Sequence, residues 1–94
     1  MREIKQGPSM FFVGDSYEQA QAWVDYSVAG HILTITHTIV KNGLQGQGVG
    51  QRLVEHVIAY CRENELKISL LCPYAMAYFD KHPENRDLLE GRNR

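Results

Sequence analysis

The hydrophobic and polar pattern of this 94-residue chain predicts a β-hairpin in its first half. Between residues 20 and 28, small or apolar side chains alternate with mostly polar ones, which is the period of two expected for a half-buried strand. Residues 32–40 are rich in β-branched side chains, and a turn at Gly30 separates the two runs. Strict alternation puts four residues on one face of the second strand: Leu33, Ile35, His37 and Ile39. It puts three threonines on the other face: Thr34, Thr36 and Thr38.

Two helices are predicted in the second half of the chain. Apolar side chains recur at helical spacing from Val49 onwards, so one side of a helix is buried over residues 49–64. His56, within this helix, is expected to be exposed. Pro73 suits the first turn of a second helix, which ends near His82 because a residue that precedes proline disfavours the helical conformation.

Strands on either side of the helices complete the predicted fold. Residues 4–13 form one or two short strands broken at Gly7-Pro8, and residues 67–71 form another. A strand, a turn, a helix and a strand in succession make a right-handed crossover between parallel strands. We therefore expect an α/β (α+β) fold with a mixed, mostly antiparallel sheet, one parallel β-α-β crossover and two main helices. It forms a single domain over residues 1–94, with a mobile tail at 91–94.

Composition narrows the classes of partner. The net charge of −1 and the pI of about 6.4 provide no field that attracts nucleic acid or an anionic membrane. No apolar run is long enough to span a membrane, and the first five residues lack the apolar core of a signal peptide, so a cytoplasmic location is expected. The two cysteines, Cys61 and Cys72, have no C-x-x-C spacing, and the four histidines show no paired ligand spacing, so no metal site is predicted.

Three glycines at alternate positions stand between the second hairpin strand and the first helix, in the segment Gln45-Gly46-Gln47-Gly48-Val49-Gly50. Glycine lets the main chain approach an anion closely and adopt positive φ, and the helix N-terminus that follows favours a phosphate. A P-loop is excluded because no Lys-Ser/Thr pair follows, and the dinucleotide fingerprint is excluded because the third glycine comes one residue early. The remaining pattern is Q/R-x-x-G-x-G/A. The alternative is that the glycines only allow tight packing.

This pattern, matched by Gln45, Gly48 and Gly50, resembles the acyl-CoA loop of the GNAT superfamily of N-acyltransferases. Four flanking segments resemble the small, single-domain GNAT-like acetyltransferases in order and spacing: Thr36-His37-Thr38, Leu71-Cys72-Pro73-Tyr74, His82-Pro83-Glu84 and Asp87-Leu88-Leu89. The resemblance covers residues 20–89 and implies a reduced GNAT fold.

The resemblance also implies acetyl-CoA as the cofactor. In GNAT proteins the strand before the loop and the strand after the helix separate at their C-terminal ends, and pantetheine enters the gap. Backbone groups near Ile39 and Val40 then bond the pantetheine amides, and the amides of the glycine segment hold the pyrophosphate. The expected cofactor-binding residues are Ile39, Val40, Gln45, Gly46, Gln47, Gly48, Val49, Gly50, Gln51 and Arg52.

Cys72 is the first candidate for a catalytic side chain. It stands between a strand end and a helix beginning at Pro73, where the helix dipole favours a thiolate. In one mechanism Cys72 takes the acetyl group and passes it to an amine. In the other, usual in the superfamily, the amine attacks the thioester directly while a backbone N–H near Ile39 stabilises the oxyanion, and Cys72 only lines the pocket or fills the core.

His37 and Tyr78 are the other catalytic candidates. A neutral His37 beside the gap can take a proton from the incoming ammonium, although a histidine on an apolar face is more often a core residue. Relatives often carry glutamate where this chain has Ile39, so no carboxylate base is evident. The superfamily's tyrosine acid aligns with Phe79, which leaves the neighbouring Tyr78 to substitute for it or merely to pack the helix.

These residues favour an acetyl-CoA-dependent N-acetyltransferase that acts on a primary amine of an unidentified small molecule, peptide or protein. The alternative is a non-catalytic acyl-CoA-binding or protein-interaction module that retains the loop. A third possibility is a nucleotide-binding regulator whose loop holds ATP or NAD. The protein is expected to be a monomer or a weak homodimer, since the exposed sheet edges of a small domain can pair.

Overall fold

One five-stranded sheet, in the order β1-β2-β3-β4-β5, forms the framework of the computed structural model, which describes residues 3–91. The strands are β1 Lys5–Gly7, β2 Met10–Val13, β3 Ala22–Ala29, β4 Ile32–Val40 and β5 Lys67–Leu70. Strands β1 to β4 pair antiparallel, and β5 pairs parallel to β4. The predicted mixed sheet with one parallel crossover is therefore confirmed.

Two α-helices, α1 at Val49–Glu63 and α2 at Pro73–Lys81, lie within one residue of their predicted bounds. Helix α1 connects β4 to β5 and forms the predicted crossover. Three 3₁₀ segments complete the described structure: Tyr17–Gln19, Asn42–Leu44 and Pro83–Leu88. The predicted mobile tail falls outside the described residues except for Gly91.

The core lies between the sheet and the two helices, which also contact each other. The apolar stripe of α1 is buried against β3 and β4, and Cys61 on this stripe is fully buried. Burial raises the pKa of the Cys61 thiol to about 12, so this cysteine fills space as an uncharged side chain. His56, predicted to be exposed, is instead half-buried with its ring against Phe11 at a centroid distance of 4.7 Å. Burial lowers the pKa of His56.

A β-bulge interrupts β4 at Thr36. Tyr26 of β3 pairs with Ile35, whereas the preceding residue Asp25 pairs with His37, so Thr36 is one extra residue on β4. Its hydroxyl donates a hydrogen bond to the Asp25 carbonyl at 3.2 Å. Because side chains alternate with a period of two, one extra residue exchanges the two faces of everything that follows.

The face predicted for His37 and Ile39 is therefore wrong. Directly opposed residues of neighbouring strands share a face, and the fully buried Val24 is opposite Thr38. Thr38, and Val40 two residues later, consequently face the helices, which corrects the predicted face of Thr38 as well. His37 and Ile39 are exposed on the opposite side of the sheet, called here the outer face.

The carboxyl ends of β4 and β5 separate. The last parallel pair joins Ile35 to Leu70, followed by one hydrogen bond from the Leu71 amide to the Ile35 carbonyl at 3.0 Å. Within residues 3–91, β4 then continues to Val40 with no partner on its β5 side. This leaves a gap between Thr36–Val40 and the chain that leads into α2, as the resemblance implied.

Candidate functional site

The glycine segment forms a turn that requires glycine at two positions. Gly46 and Gly48 have φ values of 80° and 72°, in the left-handed region that residues with a Cβ rarely adopt. Gly48 is also the N-cap of α1, which begins at Val49. Two glutamine side chains stabilise the turn. Gln45 Nε2 donates to the Val40 carbonyl and Gln47 Nε2 donates to the Gly43 carbonyl, both at 3.2 Å.

The N-terminus of α1 offers unpaired amides to an anion. The first amide that closes a helical turn is that of Arg52, which donates to the Gly48 carbonyl at 3.1 Å, so the amides of Val49, Gly50 and Gln51 have no intrahelical partner. No side chain of residues 3–91 caps this end, and the first turn of α1 carries no acidic residue. The helix dipole adds partial positive charge here.

A cleft of about 320 Å³ opens beside Val49 and Gly50, the first two residues of α1. It is lined by Val40, Leu44, Gln45, Gly46, Gly48, Val49, Gly50 and Tyr74. Six of the ten predicted cofactor residues therefore lie together, and four do not line the cleft: Ile39, Gln47, Gln51 and Arg52. Leu44 and Tyr74 are lining residues that sequence reasoning did not assign, although Tyr74 belongs to the quoted Leu71-Cys72-Pro73-Tyr74 segment.

Tyr74 forms the wall of the cleft opposite the glycine turn. A Cβ placed on Gly50 would lie 2.8 Å from the Tyr74 hydroxyl oxygen, closer than such atoms approach. Because Gly50 has no side chain, the Tyr74 ring can pack directly against its main chain. Burial first, and then the nearby Cys72 and Glu55, raise the pKa of Tyr74, which keeps its hydroxyl protonated as a hydrogen-bond donor.

The gap between β4 and β5 lies next to this cleft. Val40 and Tyr74 stand at its mouth, and two residues earlier on each segment are Thr38 and Cys72. The Cys72 Sγ donates a hydrogen bond to the Thr38 Oγ1 at 3.4 Å, across the gap. Cys72 is only 3% exposed and is the N-cap of α2, as its place before Pro73 predicted.

Main-chain groups of β4 also point into this gap. The Lys41 amide donates to the Gln21 carbonyl at 2.9 Å, which fixes the alternation of the β3–β4 ladder. The groups of Ile39 therefore point to β3, and those of Thr38 and Val40 point to the gap. Thr38 thus presents both its hydroxyl and its main chain to the gap.

Tyr78 lies outside this cleft. Its hydroxyl donates to Glu55 Oε2 at 3.0 Å, and burial together with this hydrogen bond raises the pKa of Tyr78 to about 12. It lines a second depression of about 110 Å³ between α1 and α2, along with Gln51, Lys81 and Tyr74, and Tyr74 also lines the cleft. The Tyr78 ring stacks on His82 at 4.0 Å between centroids.

His37 is not brought into the cleft either. Its side chain is 71% exposed on the outer face, where Nδ1 lies 3.9 Å from Asp25 Oδ2. It still belongs to the segment of β4 that borders the gap, on the side away from the helices. Among residues 3–91, no group of three or more His, Cys, Asp or Glu is arranged to hold a metal ion. No helix in the same range has the length and apolar character needed to cross a membrane.

Comparison with known proteins identifies the family. The sequence model of the family described as GCN5-related N-acetyl-transferase matches residues 10–88. The chain belongs to this GNAT family. GNAT acetyltransferases generally use acetyl-CoA, and the uncapped amides, the glycine that makes room for Tyr74 and the gap beyond them fit such a group.

Solved structures agree with this assignment. A GCN5-like protein from Staphylococcus aureus is 39% identical, with a TM-score of 0.78 over 95% of this chain and 88% of that one. The ribosomal-protein-S18-alanine N-acetyltransferase from Escherichia coli shares the GNAT fold, with 22% identity and a TM-score of 0.63 over 81% of this chain and 53% of that one. No protein of curated function matches the chain.

Proposed function

We propose that this GNAT protein is an acetyl-CoA-dependent N-acetyltransferase that transfers an acetyl group to a primary amine. The observation that carries the proposal is the cleft itself, which is lined by the uncapped N-terminus of α1 and, through Val40 and Tyr74, borders the place where β4 and β5 separate. These features suit two parts of coenzyme A. The amides suit its anionic pyrophosphate, and the gap suits its narrow pantetheine arm.

The pyrophosphate is assigned to the amides of Val49, Gly50 and Gln51 and to the turn before them, and Arg52 in the first turn adds positive charge. The pantetheine arm is assigned to the main-chain groups of β4 that point into the gap. Ile39 contributes to pantetheine binding only through the peptide bonds that link it to Thr38 and Val40. The side chains of Gln45 and Gln47 already donate hydrogen bonds to the carbonyls of Val40 and Gly43, so we assign them to support of the turn.

Acetyl-CoA supplies an activated acetyl group as a thioester. In the first route, Cys72 sulfur forms a bond to the acetyl carbon as the bond to the coenzyme A sulfur breaks, and the cysteine proton ends on the coenzyme A thiol. An amine nitrogen then bonds to the acetyl carbon, the bond to Cys72 breaks and the sulfur regains a proton from the amine. Cys72 is the N-cap of α2, so its sulfur lies beside the N-terminus of that helix.

In the second route the amine attacks the thioester directly. Main-chain N–H groups of β4 at Thr38 and Val40 are placed to stabilise the negative charge that develops on the acetyl oxygen. His37, exposed on the outer face of the same segment, is then the candidate base for an amine that arrives from that side. Tyr78 has its hydroxyl directed at Glu55, so we propose no proton transfer from it without movement of that pair.

A binding module without turnover is the second candidate. It is favoured by the lining of the cleft, which within the described chain contains no carboxylate, and by Ile39 at the position where related enzymes often carry glutamate. Both candidates share the cofactor cleft and differ in whether an amine is acetylated.

Calorimetric titration tests the cofactor. We expect acetyl-CoA and coenzyme A to bind with one site per chain, and ATP and NAD to bind at least about a hundredfold more weakly, because neither nucleotide carries an arm for the gap. Equal or tighter binding of ATP or NAD would instead support the nucleotide-binding regulator.

Mass spectrometry after incubation with isotope-labelled acetyl-CoA tests turnover. A label on Cys72 that hydroxylamine removes indicates the first route, and acetylation of an amine library by the Cys72→Ala variant indicates the second. If cofactor binds but neither the chain nor any amine acquires the label, the binding module is correct and the enzyme proposal fails.

A further inference from the structure

Thr38 and Cys72 contact each other through polar atoms across the gap. The Thr38 Oγ1 accepts the cysteine S–H at 3.4 Å, and both side chains belong to the two segments that border the gap. The pair lies two residues before Val40 and Tyr74, which line the proposed cofactor cleft. A hydroxyl at this place acts directly on the proposed nucleophile.

The bulge is what brings Thr38 there. Without the extra residue Thr36, strict alternation would direct the Thr38 hydroxyl to the outer face, together with Thr34. The same bulge turns the Thr38 main chain towards the gap. Bulges next to functional sites commonly re-aim a side chain in this way.

We infer that Thr38 is a positioning residue that orients the Cys72 sulfur and stabilises its thiolate. This inference rests on the proposed function for its role in acetyl transfer. A threonine hydroxyl has one donor and two acceptor sites, so it accepts from the neutral thiol and, after rotation, donates to the thiolate. A hydrogen bond to an ionised partner is stronger than one between neutral groups, so the pair favours ionisation of the sulfur.

The test compares Thr38→Val, which keeps the shape and removes the hydroxyl, with Thr38→Ser, which keeps the hydroxyl. Alkylation of the unliganded protein by iodoacetamide is followed by peptide mass spectrometry as a function of pH. We expect Cys72 in Thr38→Val to react about tenfold more slowly at neutral pH, with its pH profile moved upwards by about one unit, and Thr38→Ser to resemble the wild type. Cys61, buried in the core, should remain unmodified, so its alkylation would reveal unfolding of a variant.

Thr34→Val is the matched control, because Thr34 lies on the outer face of the same strand. It should leave the Cys72 profile unchanged. In acetyl transfer, Thr38→Val should lower kcat with little change in the KM for acetyl-CoA. An identical alkylation profile for Thr38→Val and wild type, or a Thr38→Ser profile as shifted as that of Thr38→Val, would overturn the inference. Because alkylation needs no cofactor, this result stands apart from any failure of acetyl transfer.

Discussion

Single residues decide how closely the main chain can meet a ligand. Gly46 and Gly48 are required by their positive φ, whereas Gly50 has helical geometry and is required by the nearby Tyr74 ring. The first two roles could be predicted from the spacing of the glycines. The third could not, because the pattern gives no information about a ring that arrives from another helix.

Replacement of Gly50 by alanine should weaken cofactor binding more than it affects folding. The new Cβ meets the far end of the Tyr74 side chain, which can rotate, and alanine favours a helix over glycine, so we expect unfolding to change by less than about 1 kcal/mol. The displaced ring enters the cleft, and loss of one charge-assisted hydrogen bond weakens acetyl-CoA binding about tenfold.

Calorimetry and thermal unfolding measure the two effects separately. Gly43→Ala is the matched control, since Gly43 belongs to the same connection, has no positive φ and has nothing within 4 Å of an added Cβ. Equal affinity for acetyl-CoA in the two variants would contradict the role assigned to Gly50.

At the scale of elements, the sequence predicted the helix bounds, the hairpin and the parallel crossover but not the bulge. A long apolar stripe marks helix α1. Helix α2 begins at Pro73 and ends at Lys81, shortly before Pro83. Thr36 carries no such signal, because threonine suits a regular strand as well as a bulge. The bulge is set by pairing with β3, which a pattern within β4 does not contain. The face of His37 was therefore mispredicted.

Tyr78 joins the two helices instead of serving the cleft. Its hydroxyl donates to Glu55 Oε2, and Gln51 Nε2 donates to the same oxygen at 3.2 Å. We expect Tyr78→Phe to lower the free energy of unfolding by about 1 kcal/mol, because one hydrogen bond is lost while Glu55 regains water. Urea denaturation measures this change, and unaltered acetyl-CoA affinity would show that the Tyr78 hydroxyl takes no part in cofactor binding.

Alkaline pH should loosen the packing of α1. The pKa of Cys61 rises from 9.0 to about 12 in the folded chain, so folding favours the protonated thiol. This stabilisation is complete below the pKa of the unfolded thiol and is lost as the pH rises from about 9 towards 12, by at most about 1.4 kcal/mol per pH unit. Urea midpoints between pH 8 and 11 should fall less steeply for Cys61→Ala than for wild type. Parallel slopes would contradict this account.

At the scale of the whole molecule, both helices cover one face of the sheet, and a chain of 94 residues has a small core. A bound ligand therefore contributes a large share of the total stability. At a hundred times its dissociation constant a ligand adds about 2.7 kcal/mol, which for a domain of this size corresponds to roughly 10–20 °C in Tm.

Thermal shift measurements should show this rise with acetyl-CoA, at a concentration scaled to the affinity found by calorimetry. ATP at the same concentration should leave Tm nearly unchanged. A similar shift with both compounds would mean that the cleft recognises phosphates without the pantetheine arm.

The bulge at Thr36 has a further consequence for mutational tolerance along β4. In a saturation library, positions 37 and 39 should accept polar and charged replacements, because their side chains face water. Positions 38 and 40 should reject charged replacements, because their side chains face the helices. Among positions 32–35 it is the odd-numbered residues that face the helices, whereas after the bulge it is the even-numbered ones. The alternation of tolerant and intolerant positions should therefore shift by one residue at Thr36.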